Sequence, residues 1–168
     1  MKYVFMMVLV SLVAVLGCTQ TPKADISPAK ENVETADPTT DKYEIGTWTE
    51  DWDVAIAAAK EMQRPVLINF TGSDWCVWCF RLRDEVFVTD EFMDYAKENL
   101  VLLKLDFPRK LQQSEALIAQ NQMLQRQFAI QGYPTIILAD QTGQEINRTG
   151  YQPGGPQKYI EHLEELMN

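Results

Sequence analysis

The sequence predicts an α/β domain whose central sheet is at least partly parallel. Three short apolar runs, at 66–71, 100–106 and 135–140, are typical of buried strands. Helix-like segments separate these runs, and strands that alternate with helices favour parallel pairing. A glycine-containing turn follows the third run and leads into a fourth strand at 145–150. Because tight turns join antiparallel neighbours, we expect the last two strands to form a hairpin.

Capping residues indicate where the helices begin. Asp51 is a suitable N-cap for an alanine-rich helix over 51–62, and Pro65 closes that stretch. The other predicted helices run from Cys76 to about Val86, over 90–98 with Thr89 or Asp90 as cap, over 114–128 with Ser114 as cap, and over 156–167 with Pro156 at its start.

Composition narrows the classes of function. The chain has 168 residues, which fits one domain plus additional segments, and its formal net charge is −9. Binding to nucleic acid needs clustered lysine and arginine, and the sequence contains no basic run. We therefore expect no nucleic-acid partner.

The first residues are typical of an export signal. Lys2 precedes an apolar run over 3–16, which is shorter than the roughly 20 residues that a membrane-spanning helix needs. The following Leu16-Gly17-Cys18 resembles the lipobox of bacterial lipoproteins, which implies that 1–17 is a signal peptide and that Cys18 carries lipid. An uncleaved anchor, or an ordinary signal with a chance cysteine, remains the alternative.

Composition changes again after Cys18. Residues 18–45 are rich in Pro, Thr, Asp, Glu and Lys, so we interpret them as a flexible tether, and the domain as 46–168. Thr19 stands where an aspartate retains many lipoproteins at the inner membrane, so the outer membrane is slightly favoured. The predicted location is the cell envelope, with the domain facing the periplasm.

Two cysteines open the helix that follows the first buried strand. Cys76 and Cys79 are three residues apart, so their sulfurs share a helix face and can form a disulfide. Unpaired N–H groups at a helix N-terminus favour a thiolate at Cys76, the form that attacks disulfides, and Cys79 should be the more buried, resolving thiol. A structural disulfide is a weaker alternative, because so small a loop gains little entropy.

The sequence lacks the additional ligands that a metal or haem site at these cysteines would need. A zinc site needs four ligands, and the chain adds only His162 in a polar C-terminal helix. A c-type haem needs a histidine directly after the second cysteine, where Phe80 stands. We expect no metal and no cofactor other than the cysteine pair.

A wider set of residues resembles the thioredoxin family. Trp75 precedes the first cysteine, and Gly132-Tyr133-Pro134-Thr135 precedes the strand at 136–140, as in envelope thioredoxin-like proteins such as the C-terminal domain of the membrane electron carrier DsbD. The resemblance covers residues 48–167 and implies a thioredoxin fold with three α/β/α layers. It also implies that Pro134 is cis and that the Tyr133 backbone pairs with substrate, whereas an ordinary trans turn is the alternative.

The sequence departs from this family at one strand position. Thioredoxins carry a buried aspartate that helps to deprotonate the second cysteine, and its counterpart here is Asn69, which cannot act as a base. Asp74 and Lys104 are candidate substitutes. A solvated turn carboxylate and a lysine that reaches solvent from a strand end are the alternatives.

The dipeptide between the cysteines is Val77-Trp78, without the histidine of strong oxidants, which favours a reductase or an isomerase. Trp75 and Trp78 should form an apolar rim for protein substrates, unless Trp78 packs in the core. The expected partners are envelope proteins with disulfides and a DsbD-type membrane electron donor.

The segment 107–127 is longer than the family requires, and we interpret it as an extended crossover helix and a candidate partner surface. A binding module for client proteins or apo-cytochrome, and a metal chaperone, are the alternative functions.

Overall fold

The computed structural model describes residues 42–168. The predicted signal peptide, the lipidation site at Cys18 and all but the last residues of the predicted tether lie outside the described residues. None of the helices within 42–168 combines the length and the apolar character needed to cross a membrane.

Local sequence signals account for most of the elements. In chain order they are β1 (Trp48–Thr49), α1 (Trp52–Met62), β2 (Val66–Thr71), α2 (Val77–Leu82) with a π-helical turn (Arg83–Phe87), α3 (Asp90–Asn99), β3 (Val101–Asp106), α4 (Glu115–Gln127), β4 (Thr135–Ala139), β5 (Glu145–Thr149) and α5 (Gly155–Met167). The predicted caps are confirmed: the side chains of Asp51, Thr89 and Ser114 each accept a hydrogen bond from the backbone N–H three residues on.

The strands form one mixed sheet in the order β1-β3-β2-β4-β5. Strand β3 runs parallel to β1 and β2, whereas β4 runs antiparallel to both β2 and β5. Asn69 in the middle of β2 lies opposite Lys104 of β3 and Ile136 of β4. The predicted mixed sheet and the antiparallel hairpin are therefore confirmed.

Two apolar cores cover the two faces of the sheet. Alternate residues of β2 divide between them, because successive strand side chains point to opposite faces. Ile68 and Phe70 pack with α1 and α4, whereas Leu67 packs with α2, α3 and α5. These two cores give the three α/β/α layers that the resemblance implied, with β2 at the centre.

Three local features differ from the sequence prediction. Strand β1 has only two residues and exists through its pairing with β3. The helix that begins after Cys76 changes to π-helical geometry at Arg83–Phe87. The interpretation of 107–127 as one extended helix is wrong for its first part, since α4 begins at Glu115 and a loop precedes it.

The ordered contacts of the domain also include Tyr43, which lies in the segment assigned to the tether. Its ring packs against the core on the α1 side, and its hydroxyl oxygen accepts a hydrogen bond from the Leu102 N–H at 3.0 Å. Burial raises the pKa of this phenol above its ordinary value.

Candidate active site

Cys76 and Cys79 are joined as a disulfide where β2 gives way to α2. Their sulfurs are 2.12 Å apart and their Cα atoms 5.2 Å apart. Cys76 is the N-cap of α2, and the backbone N–H of Cys79 donates to its sulfur at 3.2 Å. The predicted position at a helix N-terminus is confirmed. The expectation that Cys79 is the more buried of the two is wrong, because each residue is 5% exposed.

Trp75 is folded over the turn that precedes the cysteines. Its indole N–H donates to the Phe107 carbonyl at 2.8 Å, and its ring meets Tyr133 edge-on at 5.6 Å. Gly72 makes this fold possible, because a Cβ at that position would lie 2.5 Å from the indole ring. The ring therefore joins the turn before the cysteines to the loop after β3.

Asp74 holds that same loop by its backbone. Its carboxylate accepts from the N–H groups of Arg109, Lys110 and Leu111, with shortest distances of 2.9, 2.7 and 3.1 Å. These hydrogen bonds lower the pKa of Asp74 below its ordinary value, with the Arg109 N–H as the largest cause. The carboxylate that was a candidate modulator of the thiols is thus engaged with a loop.

Neighbouring contacts reinforce this junction. The Ser73 N–H donates to an Asp106 carboxylate oxygen at 2.8 Å, and the Ser73 hydroxyl donates to the other oxygen. The Arg109 guanidinium lies 3.9 Å above the Trp75 ring. Residues 73–75 are consequently fastened to residues 106–111 by side chains from both segments.

An Asp74→Asn substitution tests this fastening. Because the carboxylate accepts from three amides and an amide oxygen offers fewer lone pairs, we expect faster hydrogen exchange at Arg109, Lys110 and Leu111. Asp84→Asn is the matched control, since Asp84 pairs only with its neighbour Arg83. Equal exchange in wild type and Asp74→Asn would contradict the assignment.

The lowered pKa of Asp74 predicts how the protection of the loop amides from hydrogen exchange depends on pH. Asp74 has a lowered pKa in the folded protein, so its contribution is fully present above the ordinary value of about 3.9 and is lost as pH falls through the lowered value. Protection of the loop amides should therefore stay constant from neutral pH down to about 4 and decrease only in stronger acid.

Tyr133 and Pro134 directly precede β4, and Tyr133 reaches the cysteine turn through its contact with Trp75. Their peptide bond is cis, as the resemblance implied, which removes the alternative of a trans turn. The Tyr133 ring packs against Trp75 and Phe107, and its hydroxyl accepts from the Gln125 side chain at 2.6 Å. Burial raises the pKa of this phenol.

Trp78 lies at the surface, and the alternative that it packs in the core is wrong. It is 52% exposed, with Val77 beside it also exposed. Its ring lies 5.3 Å from that of Tyr151, and the Arg81 guanidinium lies 5.0 Å from its centre. Tyr151 is fixed in turn, because its hydroxyl donates to Glu85 at 2.6 Å. An aromatic rim therefore borders the disulfide.

Asn69 and Lys104 occupy neighbouring register positions on β2 and β3. The Lys104 ammonium pairs with Glu50 at 2.8 Å, and both side chains are partly exposed. Asn69 is 9% exposed, and its side-chain oxygen has no hydrogen-bond partner among the described residues. Lys104 thus reaches solvent from its strand, which was the alternative to a role at the thiols. Asn69 is buried in the protein.

Sequence reasoning missed the residues that come from distant segments. Asp106, Phe107 and Arg109 lie 32–35 residues from their partners at 73–75, and Tyr151 lies in the loop after β5. The position of Asp106 at the carboxyl end of a parallel strand next to β2 was an available signal. The other contacts have no local signature. Within residues 42–168 no group of three or more potential metal ligands converges.

Known proteins resemble the chain in both sequence and structure. The disulfide bond reductase DsbH of Chlamydia pneumoniae is 32% identical over 118 residues, which are 70% of this chain and 71% of that protein. The solved structure of a DsbH oxidoreductase is 29% identical, with a TM-score of 0.69, and the match covers 83% of this chain and 94% of that one.

A more distant structure supports the fold alone. The reduced C-terminal domain of Neisseria meningitidis DsbD is 21% identical, with a TM-score of 0.50, and the match covers 71% of this chain and 98% of that domain. The model of the thioredoxin-like domain family matches residues 52–166, from the first residue of α1 into the last turn of α5. With its disulfide at a helix start beside a cis-proline loop, the chain belongs to the thioredoxin-like domain family.

Proposed function

We propose that this thiol–disulfide oxidoreductase works as a reductase on disulfides in proteins of the cell envelope. The observation that carries the proposal is the position of Cys76, whose sulfur caps α2 and accepts the Cys79 N–H. Once the disulfide is reduced, the same N–H and the helix N-terminus stabilise a thiolate on Cys76. The resemblance to the disulfide bond reductase DsbH supports this direction of electron flow.

The exchange uses both cysteines in sequence. The Cys76 thiolate attacks one sulfur of a substrate disulfide, which forms a mixed disulfide and releases the other substrate sulfur as a thiolate. Cys79 loses its proton and attacks Cys76, which re-forms the protein disulfide and releases the second substrate thiol. Two electrons pass from the protein to the substrate, so a dithiol donor must reduce the protein again.

The surface around the disulfide suits an extended protein segment. Trp78, Val77 and Tyr151 offer apolar area, and the backbone of Tyr133 belongs to the cis-Pro134 loop, which contacts Trp75 next to Cys76. An extended substrate segment gains strand-like hydrogen bonds from such a backbone and apolar contact from the rim. The proposed substrates are therefore unfolded or loop segments of proteins rather than small disulfides.

The reduction potential tests the direction of the reaction. Because no histidine lies between the cysteines, we expect a value nearer to the about −270 mV of thioredoxin than to the about −120 mV of DsbA. Equilibration with dithiothreitol buffers, followed by alkylation and mass measurement of the reduced fraction, gives the value. A potential near the DsbA end would make the protein an oxidant, and efficient recovery of scrambled ribonuclease would favour an isomerase.

We also propose that lipid on Cys18 holds the domain at the periplasmic side of a membrane, with the outer membrane slightly favoured, and that a DsbD-type protein supplies electrons. The lipobox-like Leu16-Gly17-Cys18 supports the anchor. In a bacterial host we expect the wild type to incorporate labelled palmitate and to fractionate with the membrane. We expect Cys18→Ser to do neither. Retention of both in that variant would contradict the anchor, and reduction of the domain in cells without a DsbD-type protein would contradict the donor.

A further inference from the structure

A buried oxygen without a donor lies on β2, the strand that leads into the reactive disulfide. Asn69 is more than nine-tenths buried, and its Oδ1 is the one fully buried side-chain oxygen or nitrogen in residues 42–168 that lacks a hydrogen-bond partner. An unsatisfied buried acceptor destabilises the state in which it occurs. In this structure the two sulfurs are bonded to each other, so neither carries a proton that it could donate.

The topology places Asn69 below the first turn of the active-site helix. Asn69 points to the same face of the sheet as Leu67, which belongs to the core formed with Leu82 of α2. Cys79 and Leu82 are three residues apart and therefore share a face of that helix. Since β2 runs towards the cysteine turn and α2 runs away from it, Asn69 and Cys79 are the members of these pairs nearest the turn.

The charged groups on the same face have other partners. Lys104 is the register neighbour of Asn69 on β3, and its ammonium pairs with Glu50. Asp106, two residues further along β3, accepts from Ser73. The neighbour on the β4 side is the apolar Ile136. No donor from these strands reaches Asn69 Oδ1, so the group that faces it from α2 is the remaining source.

We propose that Asn69 is a positioning residue that accepts the S–H of Cys79 in the reduced protein, an inference that rests on the proposed exchange function. A dithiol donor gives two electrons to the Cys76–Cys79 bond and becomes a disulfide itself. Of its two protons, one goes to Cys79 and the other to solvent, while Cys76 leaves as the thiolate. The new S–H then supplies the donor that Asn69 lacks in the oxidised protein, so Asn69 stabilises the reduced state.

The equilibrium with dithiothreitol tests this role. Asn69→Leu has similar size and removes the acceptor, so the oxidised protein no longer contains an unsatisfied oxygen and the reduced protein loses a hydrogen bond. We expect the variant to become about tenfold harder to reduce, which for a two-electron couple is about 30 mV. Thr71→Val is the matched control, because it removes a polar group from the same face of β2. It should change the equilibrium constant for reduction by dithiothreitol less than about twofold.

Asn69→Asp keeps the shape of the side chain, so it provides a second test if the leucine variant does not fold. It places a base beside Cys79, so the release of a mixed disulfide from Cys76 should become faster and its pH profile should gain an inflection that the wild type lacks. Equal reduction constants for wild type and Asn69→Leu, or an unchanged pH profile in Asn69→Asp, would overturn the role of Asn69.

These outcomes are separable from a failure of the proposed function. The equilibrium is measured with a small dithiol and requires no protein substrate. If insulin reduction depends on Cys76 while the Asn69 variants behave as wild type, only the role of Asn69 is wrong. If wild-type protein fails to reduce insulin, the exchange function is wrong whatever the Asn69 variants show.

Discussion

Replacing Cys76 with serine is expected to reduce the rate of insulin disulfide reduction to that of dithiothreitol alone. The attacking group is a thiolate stabilised at the start of α2, and a serine hydroxyl stays protonated in the same position. Turbidity of the released insulin chain follows the reaction. Because Val88 is 61% exposed and lies outside the rim, Val88→Ala leaves the nucleophile in place, so it is the control and should retain most of the activity.

The second cysteine separates exchange from simple binding. Cys79→Ala keeps the attacking thiol but removes the resolving one, so one turnover should leave substrate attached to Cys76. Intact mass measurement detects this adduct, and a reductant should release it. A Cys76→Ser variant as active as the wild type would favour the alternative of a binding module, in which the fold holds a client with little turnover.

Replacing Phe87 with alanine should have the largest effect on stability. Its side chain is 3% exposed and ends the π-helical turn that continues the active-site helix. Its ring lies 5.1 Å from Trp48, 4.9 Å from Phe92 and 5.8 Å from Tyr159. Truncation of a buried phenylalanine lowers the free energy of unfolding by about 3–5 kcal/mol. The whole free energy of unfolding of a domain is about 5–15 kcal/mol, so the loss is a large part of it.

Urea unfolding of the oxidised protein measures this loss. We expect a lower midpoint for Phe87→Ala with an unchanged slope, since the surface exposed on unfolding stays similar. The next residue provides the control: Val88 is 61% exposed, and Val88→Ala should change the unfolding free energy by less than about 0.5 kcal/mol. Equal midpoints for the two variants would mean that the aromatic cluster contributes little.

Local chemistry explains why much of the fold was predictable. Caps such as Asp51 and Ser114 act on amides three residues away, so their sequence neighbours contain the whole signal. The buried strands were recognisable because most of their side chains are apolar, as in β2, where all six residues are buried and four are apolar. The position of Cys76 at a helix start follows from the same local pattern.

Other features depend on contacts that no window of sequence contains. Strand β1 is too short to have a pattern of its own and exists because β3 offers unpaired backbone groups. The π-helical turn coincides with the packing of Phe87 among aromatic residues from three other segments. The shape of the loop after β3 has no local signal, because backbone hydrogen bonds to the distant Asp74 hold it.

By itself the sequence determined the reactive pair, its position at the start of a helix, and the family to which the fold belongs. The first two properties follow from spacing, capping and apolar periodicity, which act over a few residues. The family follows from the resemblance carried by Trp75, the cysteine pair and Gly132-Tyr133-Pro134-Thr135. Only the tertiary structure decided that both cysteines are equally buried, that Trp78 is exposed, and that Asn69 lacks a partner. Burial and hydrogen bonding are set by elements distant in sequence, because the sheet brings β2, β3 and β4 together only when the chain is folded.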